Sequence, residues 1–492
     1  MPRDFTTMLD ALKCFANRTI TENGASAPVT TRSDCLDFFS TVGALRSASE
    51  KTFIDRFHRA YADDPDTAIR ILFYGRDVRG GLGERRVFRI LLHHLADMHP
   101  YSVRKNLEYV AEFGRYDDLL SLMDTPCRGD VIELVRRQLK EDLDHAKRGE
   151  PVSLLAKWLP SVNTSDAEKV RMGKLFAREL GMSHSDYRKT LSRLRAHLRI
   201  LENSLRERDY TFRYESQPSG AMFRYRRAFL HNDEERYLEY MEDVAKGRAV
   251  LHTSSLAPCE LVDQALSFHG TQEERKILDT AWNALEDFTD ERNALCVVDT
   301  SASMYWYGRP RPFAVAMSLG MYYAQRSHGA FRNHFITFST HPRLIEIKGR
   351  DFVDRVKYCQ SFSEAADTNI QAVFELILNT AVANRIPQKE MPGTIYIISD
   401  MEFNRCTHDA SMSNFEYAKM LYAGHGYRLP KIVFWNVQSR GTHQPADMNE
   451  QGVALISGYT PRLFSMVLSG RTDPYRNMMD TLRKERYACI CA

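Results

Sequence analysis

Apolar residues recur at helical spacing through roughly the first 290 positions, then give way to short continuous apolar runs alternating with helical stretches. In residues 84–96, Val87, Phe88, Leu91, Leu92 and Leu95 share one face, and Val131, Leu134, Val135 and Leu139 do the same in the next long segment. Breaks at Pro100, Gly114, Pro126, Pro151 and Pro160 separate such segments. The succession predicts an α-helical repeat (HEAT-like) domain over 1–290, built from stacked helix pairs without a fixed repeat period.

From 291 to 492 the pattern changes. Strands are predicted at 294–298, 333–340, 343–348, 394–399, 431–437 and 453–457, with helices at 312–327, 352–362, 370–384, 414–422 and 461–468. Alternation of this kind predicts an α/β doubly wound, Rossmann-like domain, with 333–348 as an antiparallel edge hairpin and 290–293 as the linker.

The chemistry gathers at the strand ends. Asp299-Thr-Ser301-Ala-Ser303 follows the first buried strand, Thr368 stands just before helix 370–384, and Asp400 ends a second buried strand. These positions lie at the carboxyl edge, where open α/β sheets bind ligands. Carboxylates and hydroxyls are hard oxygen donors, which suit Mg²⁺ or Mn²⁺ better than zinc.

Composition narrows the classes only slightly. A formal net charge of +3 over 492 residues names no partner, and nine cysteines without finger spacing suit a reducing compartment. Cys489 and Cys491 read as two loose thiols, with a metal pair or labile bridge as the alternative. No signal-peptide core and no run of eighteen apolar residues is present, so a cytoplasmic protein without a membrane partner is expected.

Residues 151–230 are locally basic, with sixteen Lys and Arg against eight Asp and Glu. A helix over 185–206 is predicted from the seam Tyr187, Leu191, Leu194, Leu198, Leu201 and Leu205, which lines up Arg188, Arg195, Arg199 and Arg206 beside it. Such a line can track a phosphate backbone or be a solvated face. Beyond it, Arg213, Arg224, Arg226 and Arg227 alternate with Tyr214, Phe223 and Tyr225, which either stack on bases or fill a core. The glycine-rich stretch 74–89 lacks the Gly-Lys-Ser/Thr ending of a phosphate loop and reads as a helix connection, its arginines Arg76, Arg79, Arg85, Arg86 and Arg89 left free for phosphates.

The set Asp299, Ser301, Ser303, Thr368 and Asp400, in this order, resembles the metal-ion-dependent adhesion site of the von Willebrand factor A domain. A helical domain followed by such a domain with Ser399-Asp-Met-Glu-Phe403 resembles the Ro ribonucleoprotein autoantigen (TROVE) family. Most similar is its uncharacterised relative, domain of unknown function 2828. The stretches carrying that likeness are Arg76-Asp-Val-Arg-Gly-Gly-Leu-Gly-Glu-Arg85, Gly114-Arg-Tyr-Asp-Asp-Leu-Leu120, Lys157-Trp-Leu-Pro-Ser-Val-Asn-Thr164, Tyr187-Arg-Lys-Thr-Leu-Ser-Arg-Leu-Arg195, Pro218-Ser-Gly-Ala-Met222 and Thr368-Asn-Ile-Gln-Ala-Val-Phe-Glu-Leu-Ile-Leu378. The Ro resemblance implies a helical ring that binds small structured or single-stranded RNA. A metal held by Asp299, Ser301, Ser303 and Thr368, with Asp400 through water, would instead leave one position for a carboxylate of a protein partner. Where Ro-like chains carry glycines before the metal threonine, this chain has Ala366-Asp367, so Asp367 is a further ligand or a helix cap.

Three functions compete: an RNA-binding module, a metal-dependent protein scaffold, and an enzyme. The last lacks a His-Glu-x-x-His, a Gly-x-Ser-x-Gly or a complete phosphate loop, and His408 reads as a solvent-exposed loop residue. No enzyme is expected.

Overall fold

The computed structural model describes residues 7–289, 291–306, 308–338, 341–364, 368–404, 414–467 and 473–492. Asp367 and His408 lie outside them. A short antiparallel hairpin, β1 (Arg18–Ile20) and β2 (Ser26–Pro28), comes first. The later strands are β3 (Ala294–Asp299), β4 (His334–Phe338), β5 (Leu344–Glu346), β6 (Thr394–Ser399), β7 (Lys431–Asn436) and β8 (Val453–Ser457). They form one sheet in the order β5-β4-β3-β6-β7-β8, parallel except for the edge pair β4-β5.

Both faces of this sheet are covered, which is why its strands are apolar without alternation: β3 and β6 are buried at every position. On one face Leu295, Val297, Ile395, Ile397, Phe434 and Leu455 pack with helix Ile370–Asn384 and helix Asn414–Gly424. On the other, helix Pro312–Arg326 and helix Arg462–Val467 cover Tyr396, which meets Tyr323 and Phe464, and Trp435, which meets Phe464. Gly320 permits the closest approach, since a Cβ there would stand 2.3 Å from Cγ2 of Val298. The chain order reverses between β3 and β6, so their carboxyl ends flank the crevice where such sheets bind ligands.

The expected division at residue 290 is not the one the contacts make. One compact unit contains residues 1–71 together with 256–486; the other contains 72–255 with 487–492. The physical reason lies in long-range bonds: Ser40 Oγ meets the Gln444 side chain, the Gly43 amide donates to Ser457 Oγ, and Arg275 grips Asp351 through two 2.8 Å bonds. Trp282 stacks on Phe352 with centroids 4.4 Å apart. The early segments and the helices before β3 thus pack into the same compact unit as the sheet.

The second unit is helical, with helices of very different length, from Leu155–Trp158 to the twenty-one residues of Arg128–Arg148. In the glycine-rich connection, Arg76 and Arg89 are not free for phosphates: both Nε atoms donate to the buried Asp118 carboxylate, at 2.7 and 2.6 Å. At the end of the chain Tyr487 donates to Asp77 at 3.0 Å, while Cys489 and Cys491 form no disulfide.

The helix expected over 185–206 is also interrupted. It forms as His184–His197 and Leu201–Glu207, because Arg199 takes a left-handed φ of 45° and Ile200 is extended. The four arginines therefore do not form one line. Arg195 turns inward, where its guanidinium donates to the carbonyls of Ala156 and Leu159, both at 2.8 Å, and to Ser161 Oγ at 2.7 Å. Burial lowers its pKa. Arg195→Gln is expected to cost about 2–3 kcal/mol, because it strips charged donors from carbonyls that water reaches poorly. Denaturant midpoints measure this, and a change within about 0.5 kcal/mol would show the contacts to be idle.

Candidate functional site at the carboxyl edge of the sheet

Asp299 ends β3 fully buried, and Asp400 follows β6 at 2% exposure. The Asp299 carboxylate accepts the Ser301 amide at 2.9 Å and the Ser399 hydroxyl at 2.5 Å. Ser301 and Ser303 hydroxyls lie 3.0 Å apart on the turn that follows. Asp400 accepts the Glu402 amide at 3.2 Å and Arg440 at 3.4 Å. Burial, reinforced by the charge of Asp400, pushes the Asp299 pKa up to about 7.

Thr368, 1% exposed, is held differently. Its hydroxyl lies 2.6 Å from the Glu402 carbonyl and 3.1 Å from Asn404 Oδ1, and it accepts Asn23 Nδ2 at 3.1 Å. Asp299, Ser301 and Ser303 are thus joined by hydrogen bonds, whereas Thr368 belongs to a neighbouring network centred on Glu402.

That network was not read from the sequence. The tip of the β1-β2 hairpin supplies it: the Glu22 amide donates to Glu402 Oε2 at 2.8 Å, Asn23 also donates to the Glu402 carbonyl at 2.6 Å, and Thr21 donates to the Phe403 carbonyl at 2.6 Å. The Glu22 carboxylate pairs with Arg440 at 2.7 Å. Glu402 is itself buried, with Oε1 lacking a hydrogen-bond partner among the described residues, and burial raises its pKa while His443 opposes the rise. The only sequence signal for Glu402 was its place in Ser399-Asp-Met-Glu-Phe403; nothing marked Thr21 to Asn23.

Among the described residues no group of three or more His, Cys, Asp and Glu side chains is placed to hold a metal ion. The carboxyl-edge set has two carboxylates, and its remaining oxygens are hydroxyls.

The basic residues of the helical unit are dispersed. Arg188 and Arg199 are exposed, and Arg206 pairs with Glu207 at 2.8 Å. Arg226 donates to the Phe223 carbonyl and covers that ring at 4.3 Å, while Arg224 and Arg227 are exposed. Tyr214 is buried in a cluster with Phe229, Tyr237 and Tyr240, so it is core rather than a platform for bases. A separate open cleft of about 610 Å³ is lined by Arg171, Lys174, Arg178, Ser183 and His184.

A family model described as Domain of unknown function (DUF7788) matches residues 293–487. A second, Domain of unknown function (DUF2828), matches residues 21–136 and 127–293. An uncharacterized protein of Acanthamoeba polyphaga mimivirus is 28% identical over 92% of this chain and 85% of its own. The crystal structure of the Ro (RSR) protein of Deinococcus radiodurans aligns with 90% of this chain and 92% of its own at 12% identity, with a TM-score of 0.34, too low to carry an argument. With the DUF2828 model spanning residues 21–293, more than half of the sequence, the chain belongs to the DUF2828 family.

Proposed function

We propose that this chain is a non-enzymatic RNA-binding protein of Ro-like layout. Its helical unit, read as a HEAT-like array, takes structured or single-stranded RNA, and its sheet unit, read as a von Willebrand A-type domain, holds Mg²⁺ or Mn²⁺ for partner binding. The observation that carries the RNA reading is the cationic cleft between helix Ala167–Glu179 and helix His184–His197. Arg171 and Arg178 are paired with Glu168 and Glu179, but Lys174, His184 and Arg188 have no side-chain partner among the described residues. His184 and Arg188, four apart, share a helix face. This reading takes the cleft as the phosphate-binding surface, with the exposed Arg224 and Arg227 as further contacts, instead of a line from Arg188 to Arg206.

The triple substitution Lys174→Gln, Arg178→Gln and Arg188→Gln is expected to flatten the slope of log affinity against log salt by roughly 2 units, at about 0.7–0.9 per phosphate contact. Filter binding of structured and single-stranded RNA across a salt series measures it. An unchanged slope with an intact helical spectrum would transfer the function to the sheet edge.

That edge supports the second reading, a metal-dependent protein scaffold. Two buried carboxylates that repel each other, with Arg440 as the cation facing Asp400, fit a hard divalent ion. Asp299, Ser301 and Ser303 would hold it, with Thr368 and Asp400 completing the set. The bound ion supplies a Lewis-acidic position for a carboxylate of an acidic partner. The strand order, with its reversal between β3 and β6, supports this reading. No helix among the described residues is long and apolar enough to cross a membrane, and a cytoplasmic setting is proposed with the function.

A further inference from the structure

At the amino edge of the same sheet, opposite the carboxylate site, lies an open cleft of about 670 Å³ with Arg326, Arg332 and Arg355 in its wall. Arg332 lies two residues before β4, and Arg326 closes the helix that runs back from the carboxyl edge, which places the cleft at this end. Asp287 is the acidic residue of the lining, and the Thr289 amide and hydroxyl both donate to its Oδ1, at 2.8 and 2.7 Å. Three arginines stand against Asp287 and the Asp279 that pairs with Arg355, which leaves the cleft net positive.

The guanidiniums are held but not satisfied. Arg326 is half-buried, donates to the Trp282 carbonyl at 2.6 Å and lies 4.4 Å over the Tyr322 ring, so its position is fixed by packing. Arg355 pairs with Asp279 through one terminal nitrogen, while its buried Nε has no hydrogen-bond partner among the described residues. Arg332 is exposed, and its side chain has no partner among the described residues. Arg326 and Arg355 are close enough for each charge to be felt by the other, a repulsion that an anion between them would reverse. Trp282, though part of the wall, is 1% exposed and stacked on Phe352, so no free aromatic face is offered to a base.

From this we infer that the cleft is an oligophosphate-binding site: it takes a pyrophosphate-class anion, free or as the phosphates of a nucleotide. Guanidiniums bind phosphate oxygens in bidentate pairs, which three arginines around a pocket of this volume favour over a single compact anion. The site is independent of both the RNA-binding cleft and the carboxyl edge.

Calorimetric titration of the full chain with inorganic pyrophosphate and with ADP, at low ionic strength without divalent ions, tests it. Both are expected to bind with affinities within a few-fold of each other, because the wall reads phosphates and not bases. Arg332→Gln, at an exposed position, should weaken both about tenfold or more, the loss of a charge-assisted bond. Arg350→Gln, at an arginine outside the cleft that is 94% exposed, should leave both unchanged. Absence of heat with the folded wild type, binding of ADP alone, or equal weakening by the two substitutions would overturn the assignment.

Discussion

Asp299→Asn is expected to raise the melting temperature of the cation-free protein above neutral pH and to abolish stabilisation by Mg²⁺ or Mn²⁺. Burial and the neighbouring Asp400 raise Asp299 from an ordinary value near 3.8 to about 7 in the folded chain. The folded state therefore keeps a proton that the unfolded state releases. This group's contribution to stability is full below about pH 4 and is lost as pH rises through about 7, a change of the order of 4 kcal/mol. Asparagine carries no charge to desolvate and escapes that loss. It keeps an oxygen for the Ser399 hydroxyl but loses one acceptor, a cost of about 1 kcal/mol. The substituted chain should thus be more stable at pH 8 and slightly less stable at pH 4. Added cation should restore the wild type, by about 2.7 kcal/mol at a hundredfold excess over its dissociation constant, and leave the variant unmoved. Thermal melts at both pH values, with and without cation, give all four comparisons. A wild type that gains nothing from either cation sinks the metal reading.

A chain starting at Asn293 is expected not to fold. Such a fragment keeps the whole sheet but removes the β1-β2 hairpin from Glu402 and Thr368, the residues around Gly43 from β8, and helices Pro258–Leu266 and Gln272–Asn283 from helix Pro312–Arg326 and helix Phe352–Gln360. Ile277, Leu278 and Trp282 alone are buried side chains worth about 1.5–3 kcal/mol each. Adding Leu36, Phe38, Phe39, Leu261 and Val262 brings the burial at stake to about 12–24 kcal/mol, as large as the roughly 5–15 kcal/mol that holds a domain together. Circular dichroism and thermal melting of the purified fragment decide it. A soluble fragment with a cooperative transition would show that the early segments only decorate the sheet.

The stretches that carry the DUF2828 likeness in the helical unit have a structural meaning. Arg76 of the glycine-rich stretch bonds Asp118 of Gly114–Leu120, and Gly114 lies where a Cβ would stand 2.3 Å from that carboxylate. Tyr187 donates to the Pro160 carbonyl at 3.0 Å and Arg195 bonds Ala156, Leu159 and Ser161, so the Lys157 and Tyr187 stretches also dock on each other. These arginines looked free because a sequence shows charge without showing what faces it.

The sequence by itself determined the elements whose cause is local. The uninterrupted apolar runs at β3 and β6 announced strands buried on both faces, the order of strands and helices announced a mostly parallel sheet, and acids and hydroxyls at strand ends were bound to fall on one edge. Only the tertiary structure decided the rest. It brought Thr21, Glu22 and Asn23 across more than three hundred residues to Thr368 and Glu402, packed residues 7–71 into one unit with the sheet, turned Arg195 inward, broke the helix at Arg199, and gathered Arg326, Arg332 and Arg355 around one cleft. Periodicity reports the face a residue presents within its own element. Which distant carbonyl, carboxylate or like charge then meets that face depends on how the elements pack, and no local pattern encodes it.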